Sequence, residues 1–174
     1  MSYTPEDLVS IAEIRHVQER YCRGIDRADE DILRTVYWED ARDAHGVFTG
    51  DREEYIAWVI PVVRERFAFL QHILGQTYTE LEGDFAYTET YFVQHSLRHD
   101  GVTYASPGRY IDRLERRNGE WRILERQTMM SFFYQASPAD TEKQAAAGFP
   151  VGSLDREDPS YIRGPLLAES ADAR

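Results

Sequence analysis

Four side chains in this sequence have the chemistry for moving a proton: Tyr21, Asp26, His72 and Arg126. A carboxylate within hydrogen-bond reach of an imidazole fixes its tautomer and raises its basicity, which suits removal of a carbon-bound proton. A nearby arginine can stabilise developing negative charge, and a buried phenol can donate a hydrogen bond or a proton. Together they fit proton abstraction with departure of an oxygen-based group, and no metal or organic cofactor is required. His45, His95, Tyr91 and Tyr110 are the candidates for lining the site and holding a substrate.

These residues lie far apart along the chain, so the elements that carry them must converge. Thr4-Pro5-Glu6-Asp7 is a helix start: a hydroxyl cap, a proline in the first turn, and acids at the positive helix end. Leu8, Ile11, Ile14, Val17, Tyr21 and Ile25 recur at spacings of three and four and predict one buried stripe. Gly24 predicts the end of that helix or a break in it, which places Asp26 just beyond. A short helix is predicted from about Asp29 to Tyr37, and a short strand from Ala41 to Gly50. Asp51-Arg52-Glu53-Glu54 caps a further helix, with Ile56, Val59, Ile60, Val63, Phe67 and Leu70 on its core side. Pro61 is expected to kink or split it, and His72 falls at its end.

From Ile73 the apolar period changes to two. Gly83-Asp84, Asp100-Gly101 and Asn118-Gly119 are turn signals between strands far longer than the usual ~5–6 residues. Strands of that length must twist and curl. The expected architecture is α+β: a cone-shaped barrel, with N-terminal helices packed in the concavity of a long, curled, mostly antiparallel sheet around a largely apolar pocket. Two-residue hairpins at Asp100-Gly101 and Asn118-Gly119 would put Tyr91 opposite Tyr110 and Arg126 opposite Ile111. Arg126 and His95 would then face opposite sides of the sheet. A bulge at Pro107-Gly108 would return Arg126, Tyr91 and His95 to one inner face, and that bulge is predicted.

Length and composition bound the rest. At 174 residues the chain holds one substantial core. Residues 1–135 are expected to form the pocketed domain, and 136–174 a tail partly docked on it or on a neighbouring subunit through Phe149, Tyr161, Ile162, Leu166 and Leu167. The net charge of −11 argues against nucleic acid and against an acidic membrane surface as partners. The single cysteine, Cys22, can make no internal disulfide and reads as a small buried apolar group. The N-terminus is polar and acidic, unlike a secretory leader, and a cytoplasmic location is expected. His95 and His99, four apart on a strand, stand ~13 Å from each other and cannot share a metal ion.

Four stretches carry a resemblance. Tyr21-Cys22-Arg23-Gly24-Ile25-Asp26-Arg27-Ala28-Asp29, Asp43 to Gly50, His72-Ile73-Leu74-Gly75 and Trp121 to Arg126 resemble the SnoaL-like branch of the nuclear transport factor 2-like superfamily over roughly residues 5–135. That superfamily includes scytalone dehydratase, hexachlorocyclohexane dehydrochlorinase, a bile-acid dehydratase and ketosteroid isomerase. The resemblance implies a cofactor-independent lyase or isomerase, a homotrimer, and a small apolar cyclic substrate such as a steroid or reduced aromatic. It implies Asp26 as the aspartate, His72 as the base, Arg126 as the arginine and Tyr21 as the tyrosine of such a site. A halogenated substrate is less favoured, because Arg20 or Tyr21 stands where the dehydrochlorinase has lysine. The superfamily also contains beta subunits of ring-hydroxylating dioxygenases, which perform no chemistry. A non-catalytic ligand-binding or subunit role therefore stands as the alternative.

Overall fold

A computed structural model describes residues 3–135, 147–148 and 152–162. Helix α1 (Pro5–Asp26) opens on a reciprocal cap: Thr4 Oγ1 accepts from the Asp7 amide at 3.1 Å, and Asp7 Oδ2 accepts from the Thr4 amide at 2.8 Å. Ile14, Val17, Tyr21 and Ile25 form its buried stripe as expected, whereas Leu8 is exposed. Gly24 neither ends nor breaks the helix. A Cβ there would stand 2.7 Å from Leu33 Cδ2, so the glycine is what lets α2 (Glu30–Val36) pack directly on the α1 backbone.

Strands β1 (Tyr37–His45) and β2 (Phe48–Asp51) follow, then α3 (Arg52–Arg66). Pro61 lies inside α3 without splitting it; Pro61 and Ala57, whose carbonyl loses its partner, are both exposed, so water can replace the missing bond. The predicted helix continued to Leu70. Instead β3 (Phe67–Glu82) begins at Phe67, and its ladder to β4 (Phe85–Arg98) pairs Leu70 with Ser96 and His72 with Gln94. Phe67, Phe69 and Leu70 satisfy either period, and cross-strand pairing decided between them. His72 is therefore a strand residue, not a helix terminus.

β5 (Thr103–Arg117), β6 (Glu120–Met130) and the short β7 (Tyr134–Gln135) complete a curled, unclosed sheet ordered β2-β1-β6-β5-β4-β3, with β7 added to β5. Only β1 and β6 run parallel. β3, β4 and β5 are 16, 14 and 15 residues long, and α1 lies against the sheet's inner side at β3 and β6. This is the α+β cone that the strand lengths predict. A 3₁₀ turn, Pro159–Tyr161, ends the described tail.

The register corrects two expectations. Asn118-Gly119 is a two-residue turn with both residues left-handed, φ 54° and 82°, and Arg117 opposes Glu120. The other hairpin carries a three-residue loop, His99 to Gly101, with the Arg98 amide donating to the Val102 carbonyl at 2.9 Å. Tyr91 consequently opposes Arg109, and His95 opposes Ala105. The predicted bulge at Pro107-Gly108 is absent: Val93–Pro107 and Phe92–Gly108 pair without interruption. Gly108 serves packing, since a Cβ there would stand 2.7 Å from the Phe92 ring. The bulge lies on β6, where Leu124 is left unpaired between Ile123 and Glu125, and this turns Arg126 inward beside Ile123.

Candidate active site

α1 ends on Asp26 just where the edge strand β3 passes with His72 on its inner face. The two meet twice. Asp26 Oδ1 lies 2.6 Å from His72 Nδ1, and Oδ2 accepts the His72 backbone amide at 2.9 Å. One carboxylate thus holds both the ring and the backbone that carries it, which fixes rotation about the side chain as well as the tautomer. No described group hydrogen-bonds Nε2. The side chains are 8% and 13% exposed, His72 and Asp26 respectively, so the pair is largely shielded yet reachable.

A hollow of about 330 Å³ opens over the pair, between α1 and β3. Its walls are Arg15, Glu19, Cys22, Arg23, Arg27 and Leu74. The expected apolar pocket is thereby corrected: four of these six side chains are charged. Larger hollows of about 610 and 630 Å³ lie on the sheet around Tyr78 and Tyr87, and neither touches His72.

The interior of the cone is filled instead. Arg126 is fully buried; Nε and Nη2 reach the two Asp112 oxygens at 2.7 Å each, and Nη2 also donates to Gln18 Oε1. Gln18 Nε2 closes the cluster on Asp112 at 2.6 Å. The guanidinium carbon lies 3.9 Å from the Tyr21 ring centre and 4.1 Å from that of Tyr110. Burial opposes the charge on Arg126, but Asp112 overrides it and holds the guanidinium firmly protonated. Tyr21 bonds the Tyr55 hydroxyl at 2.6 Å, and burial pushes the Tyr21 phenol far up, so it stays neutral.

Of the four chemical candidates, then, the fold brings Asp26 and His72 into contact and sets Tyr21 and Arg126 together elsewhere. Tyr110 stacks on Phe92 at 4.2 Å, and Phe92 lies 5.8 Å from the His72 ring, so two aromatic rings separate His72 from Arg126. Tyr110 is buried in that stack. His45 sits apart, its Nδ1 3.0 Å from Thr128 Oγ1, among Tyr55 and Trp58. Tyr91 and His95 point from the outer face into solvent, which corrects the expectation that they share the inner face with Arg126. The three-residue loop shifted β4 against β5 by one place, and one place reverses every side chain.

Sequence reasoning missed Gln18, Asp112 and the arginines of the hollow. A signal existed for the last: Arg15, Glu19, Arg23 and Asp26 recur at three and four, a charged row beside the apolar stripe. Among the described residues, no three His, Cys, Asp or Glu side chains come together as metal ligands, and no helix is long and apolar enough to cross a membrane.

The described segment 152–162 docks beside the hollow. Asp158 pairs with Arg27 Nε at 3.2 Å, and Tyr161 donates to Asp29 Oδ2 at 2.7 Å. Tyr161 and Ile162 were among the residues expected to anchor the tail; Phe149, Leu166 and Leu167 lie outside the described residues.

No curated protein sequence matches the chain. Solved structures share the fold. LinA superposes with TM-score 0.70 at 20% identity, over 75% of this chain and 91% of that one. Hexachlorocyclohexane dehydrochlorinase LinA-type3 from Novosphingobium barchaimii LL02 gives 0.68 at 22%, over 75% and 92%. A scytalone dehydratase-like protein from Novosphingobium aromaticivorans DSM 12444 gives 0.68 at 16%, over 76% and 93%. The SnoaL-like domain matches residues 6–127, which run from the first turn of α1 through β5 into β6 and hold Asp26, His72 and Arg126, and the chain belongs to that family.

Proposed function

We propose that the protein is a cofactor-independent lyase, of dehydratase type, acting on a hydroxylated cyclic substrate. The observation that carries this reading is the double hold of Asp26 on His72, which leaves Nε2 inside a hollow with no partner among the described residues. His72 Nε2 takes a proton from a carbon made acidic by a neighbouring carbonyl. The electron pair forms the new double bond, the carbon–oxygen bond breaks, and the imidazolium returns the proton to the departing hydroxyl, which leaves as water. Asp26 orients the ring and stabilises its charged form. Tyr21 and Arg126 act at a distance, by holding the Tyr110–Phe92 stack that backs His72. An isomerase would use the same base and return the proton to another carbon.

The structural likeness to dehydrochlorinases supports elimination as the reaction class, while the leaving group follows from what the site can protonate. The filled cone interior favours one competing reading, a non-catalytic ligand-binding or dioxygenase beta-subunit role. Screening hydroxylated cyclic ketones, ketosteroids and cyclic hydroxy-keto acids for water loss, with the wild type and with His72→Ala, separates the two. Turnover that vanishes in His72→Ala supports the lyase; equal activity in both proteins, or turnover of no substrate, removes it. Trimeric assembly is carried over from the family resemblance, and light scattering on the full chain tests it.

A further inference from the structure

The hollow over His72 has more to say about its ligand than its position does. Three arginines reach it, and two are already neutralised. Arg15 pairs with Glu19 at 3.1 Å and donates to the Gly75 carbonyl and Thr77 Oγ1, both at 2.9 Å. Arg27 pairs with Asp158 at 3.2 Å and donates to the Asp26 carbonyl at 3.0 Å. Arg23 differs. Nη2 donates to the Ser160 carbonyl at 3.2 Å and the guanidinium lies 4.6 Å from the Tyr161 ring centre, but among the described residues no carboxylate pairs with it, and none bonds Nε or Nη1. In a chain with 31 acidic and 20 basic residues, an unmatched guanidinium on the lip of a half-shielded hollow is conspicuous.

Helix geometry sets the spacing. Arg23 and Asp26 are three apart on α1, hence neighbours on its surface, roughly 5–6 Å between Cβ atoms. An anion on Arg23 therefore lies within a single small ring of the imidazole that Asp26 holds. Cys22 and Leu74 provide the apolar contact for that ring. The volume, about 330 Å³, is near the low end for small-molecule sites and suits a compact molecule.

Resting on the reading of His72 as the site's base, we propose that the substrate is a small cyclic acid whose carboxylate is held by Arg23 while its ring lies on Cys22 and Leu74 beside His72. Arginine suits the task because its planar fork matches a carboxylate and stays charged. The site thereby selects against neutral rings of the same shape, which would leave the guanidinium unsatisfied.

The test uses the full chain with ¹⁵N-labelled histidine, the His72 ring signal being identified by its loss in His72→Asn. Benzoate and its neutral isostere benzamide are titrated against it. The expected result is a saturable shift with benzoate, about tenfold or more weaker binding of benzamide, and a similar loss for benzoate in Arg23→Gln. Arg109→Gln, on the outer face, should bind benzoate as the wild type does. Equal binding of the two ligands, no shift with either, or undiminished benzoate binding in Arg23→Gln overturns the acid site. Should benzoate bind as described while cyclic hydroxy-keto acids lose no water, the acid site stands and the lyase reading falls.

Discussion

Two partnerships between a nitrogen side chain and a carboxylate lie a few side chains apart in this protein, and they are built for opposite ends. Arg126 and Asp112 are sealed: both side chains are 0% exposed, Gln18 bridges them, and tyrosine rings cover the guanidinium on two sides. His72 and Asp26 sit in a cleft, with the carboxylate spent on one nitrogen of the imidazole and the other left unmatched among the described residues. A buried charge pair is costly to assemble and more costly to break, so the sealed pair serves the specificity of the packed core. An imidazole with one nitrogen anchored and one left without a partner is poised for exchange of a proton. Burial sets the sealed arginine apart from the histidine we propose as the base.

The comparison breaks first at the open pair. His72→Ala is expected to lower turnover by about 100- to 10,000-fold, the usual range for a positioned base. Asp26→Asn should follow it, while thermal unfolding shows a cost of no more than about 1–2 kcal/mol. The sealed pair should behave in reverse. Arg126→Met leaves Asp112 buried and unpaired, and chemical denaturation should show a loss of about 3–5 kcal/mol. Arg126→Met combined with Asp112→Leu should recover much of that loss, and a double-mutant cycle measures the coupling.

The tail sharpens the contrast at a smaller scale. Burial would raise the Asp158 carboxyl, but hydrogen bonds from Ser160 and the Ser153 amide, with Arg27, hold it down from 3.8 to about 2. A carboxyl depressed in the folded state stabilises above its unfolded value and loses that contribution on protonation. Docking of residues 152–162 should therefore weaken as pH falls from about 4 to about 2, by about 2 kcal/mol at most. Amide protection factors at Ser153 and Ser160 read this, and Asp158→Asn should show at neutral pH the reduced protection that the wild type has in acid. The smallest effect belongs to the outer face: His95→Gln should leave activity unchanged and stability within about 0.5 kcal/mol.

What the chain by itself determined was local. The capped start of α1, its buried stripe, the Asn118-Gly119 turn and the long period-two strands follow from spacing and backbone preference, and a sheet of such strands must curl. Asp26 and His72 could be named as partners because the resemblance to the SnoaL-like family implies an aspartate and a base at those places. Tertiary packing decided the rest. Whether Phe67 to Leu70 continued a helix or began a strand depended on β4 being there to pair with it. Gly24 and Gly108, read as punctuation, proved to be points of close approach to Leu33 and Phe92, which lie far along the chain or across a strand. A single loop residue at the β4–β5 hairpin turned Tyr91 and His95 outward, and a bulged Leu124 turned Arg126 in. Side-chain direction in a sheet reverses with each step of register. Register is an agreement between strands, and no strand contains it alone.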